Sequence, residues 1–166
     1  MDEIFARNVL YWGDEAQKII ASSHIAVFGL GGVGGFCAEA LARSGVGELT
    51  LVDFDKVSKS NINRQIIALN STVGMYKTEL FEIRLRDINP DIKLHLINDF
   101  YLEDFDFSGI NYTADAIDTM RSKVNLLVKC LENNVTVISS MGAGNRINPE
   151  TVSYTHLRAH ETEADL

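Results

Sequence analysis

Residues 29 to 34 read Gly-Leu-Gly-Gly-Val-Gly, a turn rich enough in glycine to bring backbone amides against a phosphate. Glycine bends tightly and lets phosphate oxygens approach the main chain. The apolar run "HIAVFG" (24–29) precedes the turn and a helical segment comes after it. Unpaired N–H groups at the start of that helix would add partial positive charge. Gly29, Gly31, Gly32 and Gly34 are therefore the candidate phosphate cradle. Asp53 lies 19 residues past Gly34, at the end of a second apolar run, where its carboxylate is placed to accept hydrogen bonds from ribose hydroxyls. These features indicate a nucleotide and leave NAD, FAD and ATP all open.

The loop after Asp53 separates the candidates. "VDFDKVSKSNINRQ" (52–65) sets Asp55, Asn61, Asn63, Arg64 and Gln65 in one polar loop, more than a dinucleotide site needs. Arg64 offers a planar fork of donors that matches phosphate oxygens. Lys77, near the start of a further helical segment, is long enough to swing toward the same phosphates. Asp118 closes the strand-like "ADAID". Open α/β sheets bind ligands at strand carboxyl ends, so this carboxylate is a candidate holder of Mg2+. A glycine cradle, two cations and a metal-binding acid suit phosphoryl or nucleotidyl transfer, in which the protein positions groups and stabilises charge. Singly, each residue has a plainer use: Arg and Lys as solvated side chains, Asn as a turn former, Asp118 as a cap for the next helix. Their joint placement on loops at one edge of a sheet favours chemistry.

The elements that must hold these residues alternate. A short helix is expected at 14–21, a buried parallel strand at 24–29, a helix from the glycine turn to about Ser44 and a strand at 48–53. A helix over 72–89 starts from Thr72 as a cap candidate and stops before Pro90, and a strand is expected at 92–97. Then come a strand at 114–118, a helix at 121–134 and a strand at 135–140. The alternation predicts a Rossmann-like α/β fold: a doubly wound, mostly parallel sheet with helices on both faces. The 166 residues suit one domain, with 46% hydrophobic and 23% charged residues. A net charge of −8 argues against general affinity for nucleic acid. No apolar run reaches the roughly 18 residues of a membrane span, and acids near the N-terminus are unlike a secretory signal. Cys37 and Cys130 fall in helical segments without CxxC spacing, which fits a reducing cytoplasm. His24, His95, His156 and His160 are scattered along the chain and suggest no ligand set.

At "GLGGVG", "LVDFDKVSKSNINRQ", "VGMYK" and "DAIDT" the chain resembles the ubiquitin-activating-type family of bacterial adenylating enzymes. That family includes the activators of molybdopterin and thiamine sulfur carriers, and the resemblance covers roughly residues 4 to 150. The stretch from Arg7 to Gly47, "NINRQIIAL" and "ISSMGAGNRINP" resemble one branch, the tRNA threonylcarbamoyladenosine dehydratases. The resemblance implies that Gly32 and its neighbours embrace the phosphates and Asp53 the ribose. It implies that Asn61, Arg64 and Lys77 contact the triphosphate of ATP and that Asp118 carries Mg2+ beside the reacting carboxylate. Arg7 matches an arginine that reaches the nucleotide of the other protomer in related dimers. The implied reaction is ATP-dependent adenylation of a carboxylate on tRNA, or, as the alternative, of the C-terminus of a ubiquitin-like carrier. A nucleotide-binding module without turnover is a third reading.

The chain departs from the family in two ways. The CxxC pairs typical of sulfur-carrier activators are absent, which favours the tRNA branch. From Val152 the sequence "VSYTHLRAHETEADL" matches nothing expected of the family and has no helical or strand period. The expectation is an ATP-binding adenylation domain over 1–151, lacking the later part of the family domain, with an atypical, foreign tail over 152–166.

Overall fold

The computed structural model describes residues 3–99 and 105–140. Nine elements of regular structure carry the fold: α1 (Ala6–Ala21), β1 (His24–Phe28), α2 (Gly34–Arg43), β2 (Glu48–Val52), α3 (Lys77–Ile88), β3 (Lys93–Ile97), β4 (Tyr112–Asp115), α4 (Met120–Glu132) and β5 (Thr136–Ser139). The five strands form one sheet in the order β3-β2-β1-β4-β5, every pair parallel. This is the Rossmann-like α/β arrangement expected from the alternation of apolar runs and helical stripes.

Both faces of the central strands are buried toward their carboxyl ends, which is why β1 beyond His24 is wholly apolar and β2 beyond Glu48 admits only Thr50. On one face Val27, Leu49 and Leu51 pack with Ala38 and Ala42 of α2 and with Phe81 and Leu85 of α3. On the other, Ala26, Phe28 and Val52 pack with Leu126 and Cys130 of α4 and with Phe107 and Ile110. Cys130 is thus a packing residue, and its thiol is pushed up by burial. The sheet reverses direction of growth between β1 and β4, so the crevice at the carboxyl ends of these two strands is where such a fold binds ligands.

Several boundaries differ from those read in the sequence. The opening helix begins at Ala6, and Gly13, at φ +83°, breaks it into two segments. Its polar face closes the end of α2: Asn8 Nδ2 donates to Arg43 O at 2.9 Å and Gln17 Nε2 to Ser44 O at 3.1 Å. Those are carbonyls that a helix end leaves unpaired. α3 starts at Lys77, not Thr72, because Thr72 belongs to a separate 3-10 turn, Asn70–Thr72. The residues between turn at Gly74, φ +91°, and are held by Gly74 N–H to Val57 O at 2.8 Å and Val57 N–H to Met75 O at 2.9 Å. β4 ends at Asp115, so Asp118 stands on the loop beyond the strand. No described helix is long and apolar enough to cross a membrane. The "GAGNRINP" loop, the boundary at 151 and the tail from Val152, with His156 and His160, lie outside the described residues.

Glu39 of α2 joins the two helices on one face. It accepts from Arg43 Nη2 at 2.7 Å and from Arg84 Nε of α3 at 2.5 Å. The hydrogen bond from Arg84, with help from Arg43, holds its carboxyl below the usual carboxylate range despite burial. A carboxylate depressed in the folded state stabilises above its unfolded pKa and loses that contribution as pH falls through the folded value. Both arginines are partly exposed, so solvent screening limits the effect. Glu39→Gln is expected to cost about 1 kcal/mol at pH 7. Urea melts of both proteins should converge on acidification below about pH 4.

Candidate nucleotide site

The crevice at the β1/β4 reversal is a cleft of about 550 Å³. Its walls come from the glycine turn, the loop after β2, the start of α3 and the loop after β4. Of the residues singled out in the sequence, Gly29, Gly31, Gly32, Asp53, Asp55, Asn61, Arg64, Gln65, Lys77 and Asp118 all line it. Gly34, Asn63 and Arg7 do not.

The glycines divide by what surrounds them. Gly29 has φ +85°, and a Cβ there would sit 2.7 Å from Ala116 O, so this glycine lets β1 run hard against the start of the next loop. A Cβ on Gly34 would fall 1.8 Å from Gly29 O. That glycine is demanded by the packing of α2 onto the turn. Gly31 meets nothing nearer than Gln65 Nε2 at 3.8 Å, and Gly32 faces Arg64 at 3.3 Å or more. These two are open toward the cleft.

Asp53 is buried and does more than the ribose role alone would ask. Its Oδ2 accepts from Leu30 N–H at 2.6 Å, and its Oδ1 from Asp55 N–H at 2.8 Å. The carboxylate therefore braces the glycine turn against the end of β2. Lys77, the first residue of α3, extends Nζ to 3.4 Å from Asp53 Oδ2 and 2.7 Å from Asp55 Oδ2. An ionised carboxylate has about four acceptor positions, so Asp53 keeps one for a further donor. The loop returns Lys77 to this place through an antiparallel bridge between Lys56 and Tyr76, with the Lys56 ammonium 4.4 Å from the centre of the Tyr76 ring.

Arg64 is exposed at the cleft edge. Its Nη1 donates to Ser60 O at 2.9 Å and to Asn63 Oδ1 at 3.1 Å. Among the described residues Nε and Nη2 make no such bond, so most of the guanidinium fork is uncommitted. Asn61 Oδ1 is used locally, accepting from Ser58 N–H at 2.9 Å. Gln65 is buried with Oε1 unpartnered among the described residues, an acceptor that a donor entering the cleft would satisfy. Asp118 is exposed and accepts from the Thr119 hydroxyl at 3.3 Å. It does not cap α4: Thr119 occupies the cap position, and no side chain bonds there. A hard oxygen donor facing a cleft that also holds phosphate-sized space is the donor type Mg2+ takes, so the residues fit that ion.

Sequence reasoning missed the group behind Asp118. Asp115, the last residue of β4, and Lys123 of α4 form an ion pair of 2.7 Å with side chains 0% and 3% exposed. Lys123 Nζ also donates to Ser140 O at 3.0 Å and lies 3.2 Å from Ser139 Oγ. Asp115 Oδ1 accepts from Ile117 N–H at 3.0 Å. The pair thereby sets the loop that presents Asp118. Nothing in the sequence marks a lysine in a helix as buried.

Arg7 lies in the first turn of α1, next to Asn8, which touches the carboxyl end of α2. The cleft is at the opposite end of α2, so Arg7 is remote from the cleft of its own chain.

The model of the ThiF family matches residues 5–162. A tRNA threonylcarbamoyladenosine dehydratase of Bacillus subtilis is 47% identical over 150 residues, covering 87% of this chain and 59% of that protein. A molybdopterin-synthase adenylyltransferase of Haemophilus influenzae is 33% identical over 168 residues, covering 99% of this chain and 67% of that protein. Among solved structures, the E. coli tRNA N6-threonylcarbamoyladenosine dehydratase in complex with ATP superposes with a TM-score of 0.85 at 39% identity, covering 90% of this chain and 63% of that one. The chain thus spans about 60% of the length of the bacterial dehydratases it matches.

Proposed function

Because the chain belongs to the ThiF family, we propose that it binds ATP in this cleft and adenylates a carboxylate. The carrying observation is that Arg64, Lys77 and Asp118, from three separate segments, line one cleft with the glycine turn at the reversal of strand order. The substrate read from the dehydratase branch is threonylcarbamoyladenosine in tRNA, in the cytoplasm. Its carboxylate attacks the α-phosphate of ATP, pyrophosphate leaves, and an acyl-adenylate remains. An amide nitrogen of the same substrate then closes on the activated carbonyl, giving up its proton as AMP departs. That closure is intramolecular and gains from proximity, so it needs no enzyme nucleophile.

The chain's own residues supply binding and charge. Gly31 and Gly32 leave room for phosphate oxygens at the start of α2. Asp53 keeps one acceptor position for a ribose hydroxyl. Lys77 exchanges its bond to half-exposed Asp55 for a phosphate while staying near Asp53, and Arg64 adds its uncommitted donors. Asp118 would hold Mg2+, which when bound offsets charge on the phosphates. Arg7, remote from its own cleft, acts only on the nucleotide of a second copy, so the working form is a homodimer.

The test is calorimetric titration of ATP with Mg2+ against NAD+, on this protein and on its Asp118→Ala and Arg64→Ala variants. ATP is expected to bind and NAD+ not, with each substitution weakening ATP by about tenfold or more, about 1.4 kcal/mol. Binding of NAD+ alone overturns the proposal. Pyrophosphate exchange into ATP, stimulated by tRNA carrying threonylcarbamoyladenosine, then tests the substrate. The likeness to the molybdopterin-synthase adenylyltransferase supports the second reading, and exchange stimulated by a ubiquitin-like carrier instead would select it. Unchanged exchange in Arg7→Ala would remove the shared interface.

A further inference from the structure

Away from the cleft, strand register gathers residues that look unrelated in the sequence. His24 opens β1 and Glu48 opens β2, and the two are direct partners across the parallel pair. His95 of β3 stands opposite Thr50 of β2. All four therefore project from the same face of the sheet, because residues two apart on a strand share a face. For His24 and His95, the reading of the histidines as scattered does not survive this register. His24, Glu48 and His95 bring one ligand atom each to within 4.8 Å of one another, the one such group of three among the described residues.

We propose that His24, Glu48 and His95 form a binding site for a divalent transition metal of the Zn2+ class, at the end of the sheet opposite the nucleotide cleft. Two imidazoles and a carboxylate are a donor set that such ions take, leaving a further position open. The geometry is close to what coordination requires. Zn2+ bonds of about 2.0–2.2 Å in a tetrahedral arrangement separate ligand atoms by about 3.3 Å. Here His24 Nδ1 is 3.7 Å from Glu48 Oε1, and His95 Nε2 is 2.7 Å from the same oxygen. Small side-chain rotations would open the second distance and close the first around an ion.

The site is also supported from behind. His24 Nε2 lies 2.8 Å from Thr50 Oγ1. With Nδ1 as the ligand, Nε2–H donates to that hydroxyl, which fixes both ring orientation and tautomer, as the groups behind metal-bound histidines commonly do. The His24 backbone is pinned on both sides by Asn111: His24 N–H donates to Asn111 Oδ1 at 2.7 Å, and Asn111 N–H to His24 O at 2.9 Å. Glu48 is held by the β1/β2 ladder. His95, on the sheet edge with its side chain about half exposed, supplies the adjustable third ligand and an entry path.

The experiment is titration of the full chain with Zn2+, and with Co2+ monitored by its visible absorption, on the parent and on His95→Ala, Glu48→Gln and Thr50→Val. The expected result is one equivalent bound with the absorption of a low-coordinate Co2+ site and a raised Tm. His95→Ala and Glu48→Gln should lose at least tenfold in affinity, and Thr50→Val about tenfold. His95 is exposed and its removal leaves the core untouched, so His95→Ala is expected to fold. No uptake of either metal by the parent, or equal uptake by the parent and both ligand variants, overturns the proposal.

Discussion

Gly34→Ala is expected to abolish folding, and Gly31→Ala to leave folding intact while removing ATP binding. The added Cβ at Gly34 would sit 1.8 Å from Gly29 O and 3.0 Å from the Cβ of Ala116. Neither atom is the end of a flexible side chain: both belong to the turn and loop that extend the two central strands. Relief would require α2 to lift from the sheet, giving up the packing of Ala38 and Ala42 on Leu49 and Leu51. That loss exceeds the roughly 4–5 kcal/mol beyond which single substitutions are exceptional. Against a total stability of about 5–15 kcal/mol it leaves little folded chain. At Gly31 the nearest neighbour is 3.8 Å away, so a methyl group fits the free protein and occupies space assigned to phosphate. Near-ultraviolet circular dichroism and urea melts check the first half, and ATP titration the second. If Gly31→Ala binds ATP as the parent does, that glycine has no part in the cradle.

Lys123→Met should destabilise the chain by about 3–5 kcal/mol, the usual cost of leaving a buried charge without its partner. Asp115 has no exposed side-chain surface. Without the ammonium it keeps only the Ser139 hydroxyl and Ile117 N–H among the described residues. Replacing both members, Lys123→Met with Asp115→Leu, removes the orphaned charge as well as the pair. The double variant should therefore be more stable than Lys123→Met alone. Urea denaturation of the four proteins gives the coupling directly. Simple additivity would mean that the pair does not act as a unit. Recovered stability in the double variant need not restore nucleotide affinity, because Asp115 also sets the loop that carries Asp118.

The central strands were legible because burial on both faces leaves the runs "IAVF" and "LTLV" interrupted only by Thr50. The first half of α1 was not. Leu10 and Tyr11 are each 87% exposed, so the apolar residues there trace no buried stripe, and Gly13 interrupts the period. In the site, the glycine turn, Arg64, Lys77 and Asp118 were identifiable by type and spacing. The brace from Asp53 to Leu30 N–H was not, because a carboxylate suited to a ribose looks the same as one bound to a backbone amide. The Asp115–Lys123 pair was hidden for a related reason: a lysine on an amphipathic helix ordinarily faces water. The cluster of His24, Glu48 and His95 depends on the register of three strands, which no local pattern encodes.

The reversal of strand order has a consequence in time. β1 meets β2 across a short connection, whereas His24 finds Asn111 87 residues further along the chain. Long closures cost more entropy and slow assembly. On a ribosome, β1, β2 and β3 can pair and take on α2 and α3 before β4 has been synthesised. Phe28 and Val52 would then wait with their face of the sheet uncovered, since α4 comes later still. On that order the glycine turn would form first, as a half-site with one wall. A nucleotide bound as proposed would therefore assist folding only at the last stage, when β4 docks and the second wall arrives.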